Sequence, residues 1–178
     1  MKQPDRNVSS LGNEARHAFV RNQITKATLT LLDTKPIHKI SIYEICATAE
    51  VGRVSFYRNF ESKEDVVQKH IFSLIRNWKE RYNEQSKDSN AEMYGSLFSH
   101  LKENADFYLL LKRQNLMHLF LNVFIELCGA RAEDDNMWAY TKSFIAYGTY
   151  GWIEEWLARG MQESAETMAA LLTAHGVK

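Results

Sequence analysis

The chain has 178 residues, of which 45% are hydrophobic and 25% are charged, a composition typical of a globular protein with a substantial core. Its 22 Lys and Arg residues balance its 22 Asp and Glu residues, so no global field indicates a polyanion or membrane partner. The distribution is uneven, because residues 1–85 hold 14 basic against 10 acidic side chains and residues 86–178 hold 8 against 12.

Neither a membrane span nor a signal peptide is predicted. The most apolar run, from Leu116 to Cys128, is about 13 residues long, whereas a spanning helix needs about 20. Residues 1–15 are polar and lack the apolar stretch of a signal peptide. We therefore expect a cytoplasmic protein with no membrane partner, and Cys46 and Cys128 as free thiols.

Helix-breaking residues are confined to the start of the chain. Pro4 and Pro36 are its only prolines, and alternating β-branched runs bounded by Asn-Gly or Asp-Gly turns are missing. The sequence therefore predicts an all-α fold of about nine helices. We expect a flexible N-terminal arm over 1–15, a helix-turn-helix head over 16–62 and a helical body over 63–178.

The head is predicted from its caps and apolar spacing. A first helix runs from about Arg16 to Asp33, and Ser41 with Glu44 forms a capping box that begins a second helix. A short turn over 50–52 leads to a third helix over 53–59, and Ser62 caps a fourth. The apolar residues with the spacing to lock the second and third helices together are Ile42, Ile45, Ala49, Val51, Phe56 and Phe60.

The outward side chains of the third helix suit the major groove of DNA. A helix can present Arg to guanine, Ser to several bases and an apolar group to the thymine methyl. The residues that we expect to contact DNA are Lys39, Ser41, Arg53, Val54, Ser55, Tyr57, Arg58, Asn59 and Lys63, with Tyr57 and Lys63 on phosphates. The spacing alone leaves an alternative open, namely a plain helical corner with solvated basic residues.

Residues 40–67 resemble the DNA-binding domain of the TetR family of bacterial transcriptional regulators. The residues that carry the resemblance are Ser41, Ala49, Val51, Phe56-Tyr57, Asn59, Phe60 and Ser62-Lys63-Glu64. The resemblance implies that the outward residues of the third helix face DNA and that Lys63 holds a phosphate. Three positions depart from the family pattern: Glu50 stands where Gly is common, Gly52 replaces a capping side chain, and Asn59 replaces a frequent His.

The long helix from about Asn136 to Arg159 has aromatic residues nearly all round, which indicates burial on more than one side. A second copy of the chain is the simplest cover for the outer side. Residues 151–172 also resemble the C-terminal end of the TetR-family branch that includes dihydroxyacetone kinase operon activators. The predicted dimer residues are Gly148, Gly151, Trp152, Trp156, Met168, Leu171 and Leu172.

An effector pocket is the usual feature of such a body. Our candidates for its lining are Phe98, Phe107, Tyr108, Leu111, Phe120, Phe124, Tyr140, Phe144 and Tyr147. The alternative is that these residues are plain core, since aromatic residues at helical spacing usually are.

Enzymatic signatures are missing from the sequence. The six histidines lack metal-ligand spacing, and no phosphate-binding loop or nucleophile elbow occurs. We predict no cofactor, no metal and no enzymatic activity. The sequence predicts a homodimeric TetR-like repressor that binds a pseudo-palindromic operator and senses a small-molecule effector. The alternative is a dimeric helical interaction module or co-activator that responds to a protein partner.

Overall fold

The computed structural model describes residues 6–84 and 90–175. Within these residues the chain forms nine α-helices and no strand, which confirms the predicted all-α class. The helices are α1 (Arg6–Thr34), α2 (Ile42–Thr48), α3 (Arg53–Asn59), α4 (Lys63–Glu84), α5 (Asn90–Glu103), α6 (Ala105–Arg113), α7 (Met117–Cys128), α8 (Asn136–Ala158) and α9 (Ala165–His175). A short 3₁₀ turn, Ile37–Lys39, lies between α1 and α2.

The chain divides into two compact units, Met1–His70 and Ile71–Lys178, and the division falls inside α4. In the part of the chain that the structure describes, no helix combines the length and the apolar character needed to cross a membrane.

In the first unit, α1 packs against both α2 and α3, and α2 packs against α3. Their shared core consists of side chains with almost no exposed surface, namely Ile24, Leu32, Ile45, Phe56 and Phe60. The three-helix head predicted from the sequence is confirmed, and α3 begins and ends at the predicted residues.

The start of α1 was predicted wrongly. The sequence placed it near Arg16, but the helix begins at Arg6, so part of the predicted arm over 1–15 is helical. Residues 6–15 lack an apolar stripe, which is why no periodicity indicated a helix there. Once a helix is nucleated, each added residue gains a backbone hydrogen bond, so a polar extension without proline can continue it. Residues 1–5 of the arm lie outside the described residues.

In the second unit, α5 lies along α9, while α8 contacts α6 and α7. Gly95 of α5 faces Ala169 of α9, and a Cβ on Gly95 would lie 3.9 Å from the Cβ of Ala169, an ordinary van der Waals distance. Aromatic rings fill the remaining core. Phe98 packs edge-on against Trp156, with ring centroids 5.3 Å apart, and Phe120 contacts both Tyr108 and Phe124.

Gly129 ends α7. Its φ of −82° is not left-handed, so the backbone does not require glycine there. A Cβ at this position would lie 2.5 Å from the Ile125 carbonyl oxygen, which is closer than real contacts allow. Lack of space, rather than backbone conformation, explains the glycine.

Candidate nucleic-acid interface

The start of α2 is fixed by a complete capping box. The Ser41 hydroxyl accepts a hydrogen bond from the Glu44 backbone N–H at 3.2 Å, and the Glu44 carboxylate accepts one from the Ser41 N–H at 2.9 Å. Lys35, just after α1, donates to the other oxygen of that carboxylate. The Lys35 hydrogen bond, together with the Ser41 N–H and hydroxyl, lowers the pKa of Glu44 to about 2. The carboxylate is therefore charged at neutral pH and ties α2 to the end of α1.

The turn between α2 and α3 contains a residue in the left-handed region. The Glu50 N–H donates to the Ala47 carbonyl at 3.3 Å and the Val51 N–H to the Cys46 carbonyl at 3.0 Å, the hydrogen-bond pattern of a Schellman motif. This motif places Glu50 at φ 54°. Glu50, which stands where Gly is common, therefore adopts the left-handed backbone that usually favours glycine.

Helix α3 follows at once, with Gly52 as its N-cap and no capping side chain. Its inner face is anchored by Phe56, which is fully buried and lies near Phe60 with ring centroids 5.9 Å apart. Its outer face presents two apolar side chains to solvent, Val54 at 72% exposure and Tyr57 at 53%. The outer face thus combines exposed apolar groups with exposed basic ones, since Arg53 and Arg58 are exposed as well.

Four of the predicted DNA contacts are partly or wholly engaged within the chain. Ser55 is half-buried, and the Asn59 side-chain amide donates to the Ser55 carbonyl at 2.7 Å. The Ser41 hydroxyl belongs to the capping box. The Lys63 ammonium donates to the Ile40 carbonyl at 2.8 Å. Lys39, by contrast, lies exposed at the end of the 3₁₀ turn.

An exposed aromatic residue of α2 was not identified from the sequence. Tyr43, in the first turn of α2, is 72% exposed, whereas Ile45 of the same helix is fully buried. The capping box at Ser41 contained the signal, because it fixes which residues of the first turn face outward. An exposed phenol is a potential hydrogen-bond donor to a phosphate.

The start of α4 is capped on both sides. The Asp65 N–H donates to the Ser62 hydroxyl at 3.0 Å, and the Asp65 carboxylate accepts from the Glu61 N–H at 2.9 Å. The Lys69 ammonium donates to Asp65 at 2.8 Å and to the Asn59 carbonyl at 3.1 Å. The last residue of α3 is therefore hydrogen-bonded to α4.

The residues predicted to line an effector pocket are divided between the surface and the core of the second unit. Tyr140, Phe144 and Tyr147 are exposed on α8, at 69%, 70% and 56%. Phe107 is half-buried beside Tyr108. The others, Phe98, Tyr108, Leu111, Phe120 and Phe124, are buried in the core.

The predicted dimer residues are also divided. Gly148 and Gly151 are exposed, Trp152 is half-buried and Leu171 is 38% exposed. Trp156, Met168 and Leu172 are 2%, 5% and 2% exposed, so they build the core of the body itself. Five of the seven residues line one groove of about 390 Å³ at the ends of α8 and α9: Gly151, Trp152, Trp156, Met168 and Leu171.

An exposed apolar stripe continues from this groove along α8. It consists of Met137, Tyr140, Phe144, Tyr147, Gly148 and Gly151, which we call the α8 stripe. The large members recur at spacings of three and four residues, which places them on one helix face. Met137 was missed in the sequence, although this spacing indicates it. A Cβ on Gly148 or Gly151 would meet no atom within 4 Å.

A polar cleft lies between α4 and α5 in the second unit. Its volume is about 550 Å³, and it is lined by Leu74, Asn77, Glu80, Arg81, Glu84, His100, Glu103 and Asn104. His100 is only 3% exposed, and its Nε2 lies 3.1 Å from the Tyr108 hydroxyl. Burial lowers the pKa of His100 to about 4, and the charge of Arg81 acts in the same direction. The imidazole is therefore neutral at physiological pH.

Two family models match the chain in succession. Residues 24–69 match the model described as "Bacterial regulatory proteins, tetR family", and residues 88–175 match "Transcriptional regulator C-terminal region". Among solved structures, "Dihydroxyacetone kinase operon activator DhaS" is similar with a TM-score of 0.54 and 22% identity, over 87% of this chain and 92% of that one. At this identity the likeness shows a shared fold. No curated protein matches the sequence.

Proposed function

Because this chain belongs to the tetR family of bacterial regulatory proteins, a family of transcriptional regulators, we propose that it represses transcription as a homodimer on a pseudo-palindromic operator in the cytoplasm. The observation that carries the proposal is the outer face of α3, where Arg53, Val54 and Tyr57 are exposed on a helix anchored by buried Phe56. Leaving apolar surface in water has a cost that contact with DNA removes.

We assign different roles to the residues of this face. Arg53, in the first turn of α3, pairs with guanine, and Val54 contacts a thymine methyl group. Tyr57, Tyr43 and Lys39 bind phosphates, which fixes the register of the head on the duplex without reading sequence. Two heads held by a dimer then read half-sites about 34–36 Å apart, or a multiple of that distance.

The α8 stripe and the adjoining groove form the proposed dimer surface. Met137 and the three aromatic side chains of the stripe each present on the order of 100 Å², so the stripe offers roughly 400 Å² per chain. A standard interface buries about 800 Å² per partner, and Leu171 with the groove extends the stripe toward that area. The open space above Gly148 and Gly151 allows a partner helix to approach closely.

We propose that a small-molecule effector binds in the cleft between α4 and α5. This cleft supports the proposal better than the aromatic residues that the sequence indicated, because the buried members of that set pack against one another. Helix α4 contributes residues to both units of the chain. An effector that shifts α4 can therefore change the separation of the two heads and release the operator.

A gel shift with the DNA that flanks the gene for this protein tests DNA binding, at two salt concentrations. We expect Arg53→Ala to weaken binding by about 1–3 kcal/mol and to relax base preference, whereas Lys39→Met weakens binding to all sequences alike. The absence of a shift with every flanking fragment would argue against the proposal, and equal loss of discrimination in both variants would contradict the division of roles.

Activation is the second candidate for the effect on transcription. The similar structure of DhaS carries the name of an operon activator, which favours this reading. Repression requires only occupancy of the operator, whereas activation also requires a productive contact with the transcription machinery. A reporter fused to the bound promoter distinguishes them, because deleting the regulator raises its output under repression and lowers it under activation.

A further inference from the structure

The first helical turns of α4 are attached to both ends of the helix-turn-helix. Lys63 donates to the Ile40 carbonyl, just before the N-cap of α2, at 2.8 Å. Lys69 donates at 3.1 Å to the carbonyl of Asn59, the last residue of α3. The two lysines therefore connect one helix to the beginning and to the end of the motif.

Lys63 is the more confined of the two lysines. Its side chain is half-buried, and Ile40, whose carbonyl it contacts, is only 2% exposed. Lys69 is more exposed and also pairs with Asp65, while its ammonium lies 5.4 Å from the Phe60 ring centroid. A charged donor to a backbone carbonyl forms a stronger hydrogen bond than a neutral one.

The Ile40 carbonyl lies where several other restraints meet. The N–H of Ile40 donates to the Ile37 carbonyl at 3.1 Å, so the 3₁₀ turn ends at Ile40. The next residue, Ser41, is the N-cap of α2, and its partner Glu44 is tied to Lys35. The Lys63 hydrogen bond adds α4 to a junction that already joins α1 to α2.

The helix dipole argues against a role in stabilising α4 itself. Lys63 is the first residue of α4, where the helix dipole disfavours a positive charge, and Glu64 and Asp65 next to it have the favourable sign. The Lys63 ammonium therefore does not stabilise α4 and has its hydrogen-bond partner outside this helix. Its observed partner is the peptide carbonyl before α2.

We infer that Lys63 is a positioning residue, which fixes α2 and α3 on the start of α4, rather than a phosphate ligand. This assignment replaces the phosphate role predicted from the sequence. The effect that this inference predicts on α2 in the free protein does not depend on the proposed function. The effect that it predicts on DNA affinity rests on the proposed function.

Amide hydrogen exchange on the free protein is the first test, using Lys63→Met, which keeps an unbranched stem and removes the ammonium. We expect exchange within α2 to quicken by about 3- to 10-fold, the effect of losing one hydrogen bond. Lys63→Arg, which retains a donor, should restore protection. Lys39→Met is the matched control and should leave α2 unchanged. Unchanged exchange in Lys63→Met would overturn the inference, whether or not the protein binds DNA.

The salt dependence of operator binding is the second test. For a dimer changed in both heads, loss of two phosphate contacts lowers the slope of log K against log salt by about 2. We expect Lys63→Met to weaken binding about 10-fold with the slope unchanged, and Lys63→Arg to recover the affinity. A slope smaller by about 2 would make Lys63 a phosphate ligand and overturn the inference. If no DNA binds at all, the proposed function fails and the exchange experiment decides the role of Lys63.

Discussion

Helices α3 and α8 both expose apolar side chains, yet the two surfaces differ in kind. The outer face of α3 mixes Val54 and Tyr57 with Arg53 and Arg58, as suits a charged and hydrated partner. The α8 stripe has large apolar residues and glycines along one face, as suits another helix. The proposed DNA surface therefore differs from the proposed dimer surface in the charged residues among its apolar groups, since both surfaces are exposed.

The largest expected effect is a loss of stability when a buried aromatic residue of the body is truncated. Phe120 is fully buried and contacts Tyr108, Phe124 and Tyr150. Phe120→Ala should lower the free energy of unfolding by about 3–5 kcal/mol, because it leaves a cavity in this cluster. Urea denaturation at high protein concentration measures the change. A loss below about 1 kcal/mol would mean that the ring cluster is not the core of the body.

The α8 stripe is tested by placing a charge at its centre. Phe144→Glu should weaken dimerisation by about 2–4 kcal/mol, since an unpaired carboxylate would be buried in the interface. Light scattering across a dilution series gives the dissociation constant. Phe19→Glu is the control, because Phe19 is 63% exposed on α1, outside the stripe. A dimer of parental affinity in Phe144→Glu would show that the interface lies elsewhere.

Buried His100 predicts that the stability of the body depends on pH. The pKa of His100 falls from 6.5 to about 4 on folding, so the unfolded chain binds the proton more tightly. Stability should therefore decline as the pH falls from 6.5 toward 4, by about 1–2 kcal/mol at pH 5 from this residue. Denaturation of the parent and His100→Gln at pH 7 and pH 5 measures the effect. Equal losses in the two proteins would exclude His100 as the cause.

The smallest expected effect concerns the turn of the head. Glu50 has a left-handed backbone, which costs a residue with a Cβ about 1–2 kcal/mol, whereas glycine adopts it freely. Glu50→Gly should stabilise the head by about 0.5–1 kcal/mol, because the greater freedom of glycine in the unfolded chain offsets part of the gain. Thermal unfolding measures the change. Asn115→Gly, at φ 57°, should gain less, since asparagine tolerates this conformation, and a larger gain there would contradict the explanation.

The site was predictable where its chemistry is local in sequence. The capping box of Ser41 and Glu44, the limits of α3 and the unusual backbone of Glu50 all follow from residues a few positions apart. The partner of Lys63 was not predictable, because Ile40 lies 23 residues earlier and offers only a backbone carbonyl. Every residue has a backbone carbonyl, so the identity of residue 40 does not indicate that it accepts this hydrogen bond.

The sequence by itself determined the all-α class, the helix-turn-helix and the exposure of Arg53, Val54, Tyr57 and Arg58 on α3, since each follows from short-range periodicity and capping. Only the tertiary structure decided which aromatic residues of the body are core and which form the α8 stripe. On a helix with aromatic residues nearly all round, periodicity cannot distinguish the two sides. Helices α6 and α7 pack against α8 and leave the stripe exposed, whereas Trp156 of the same helix is buried against Phe98 of α5.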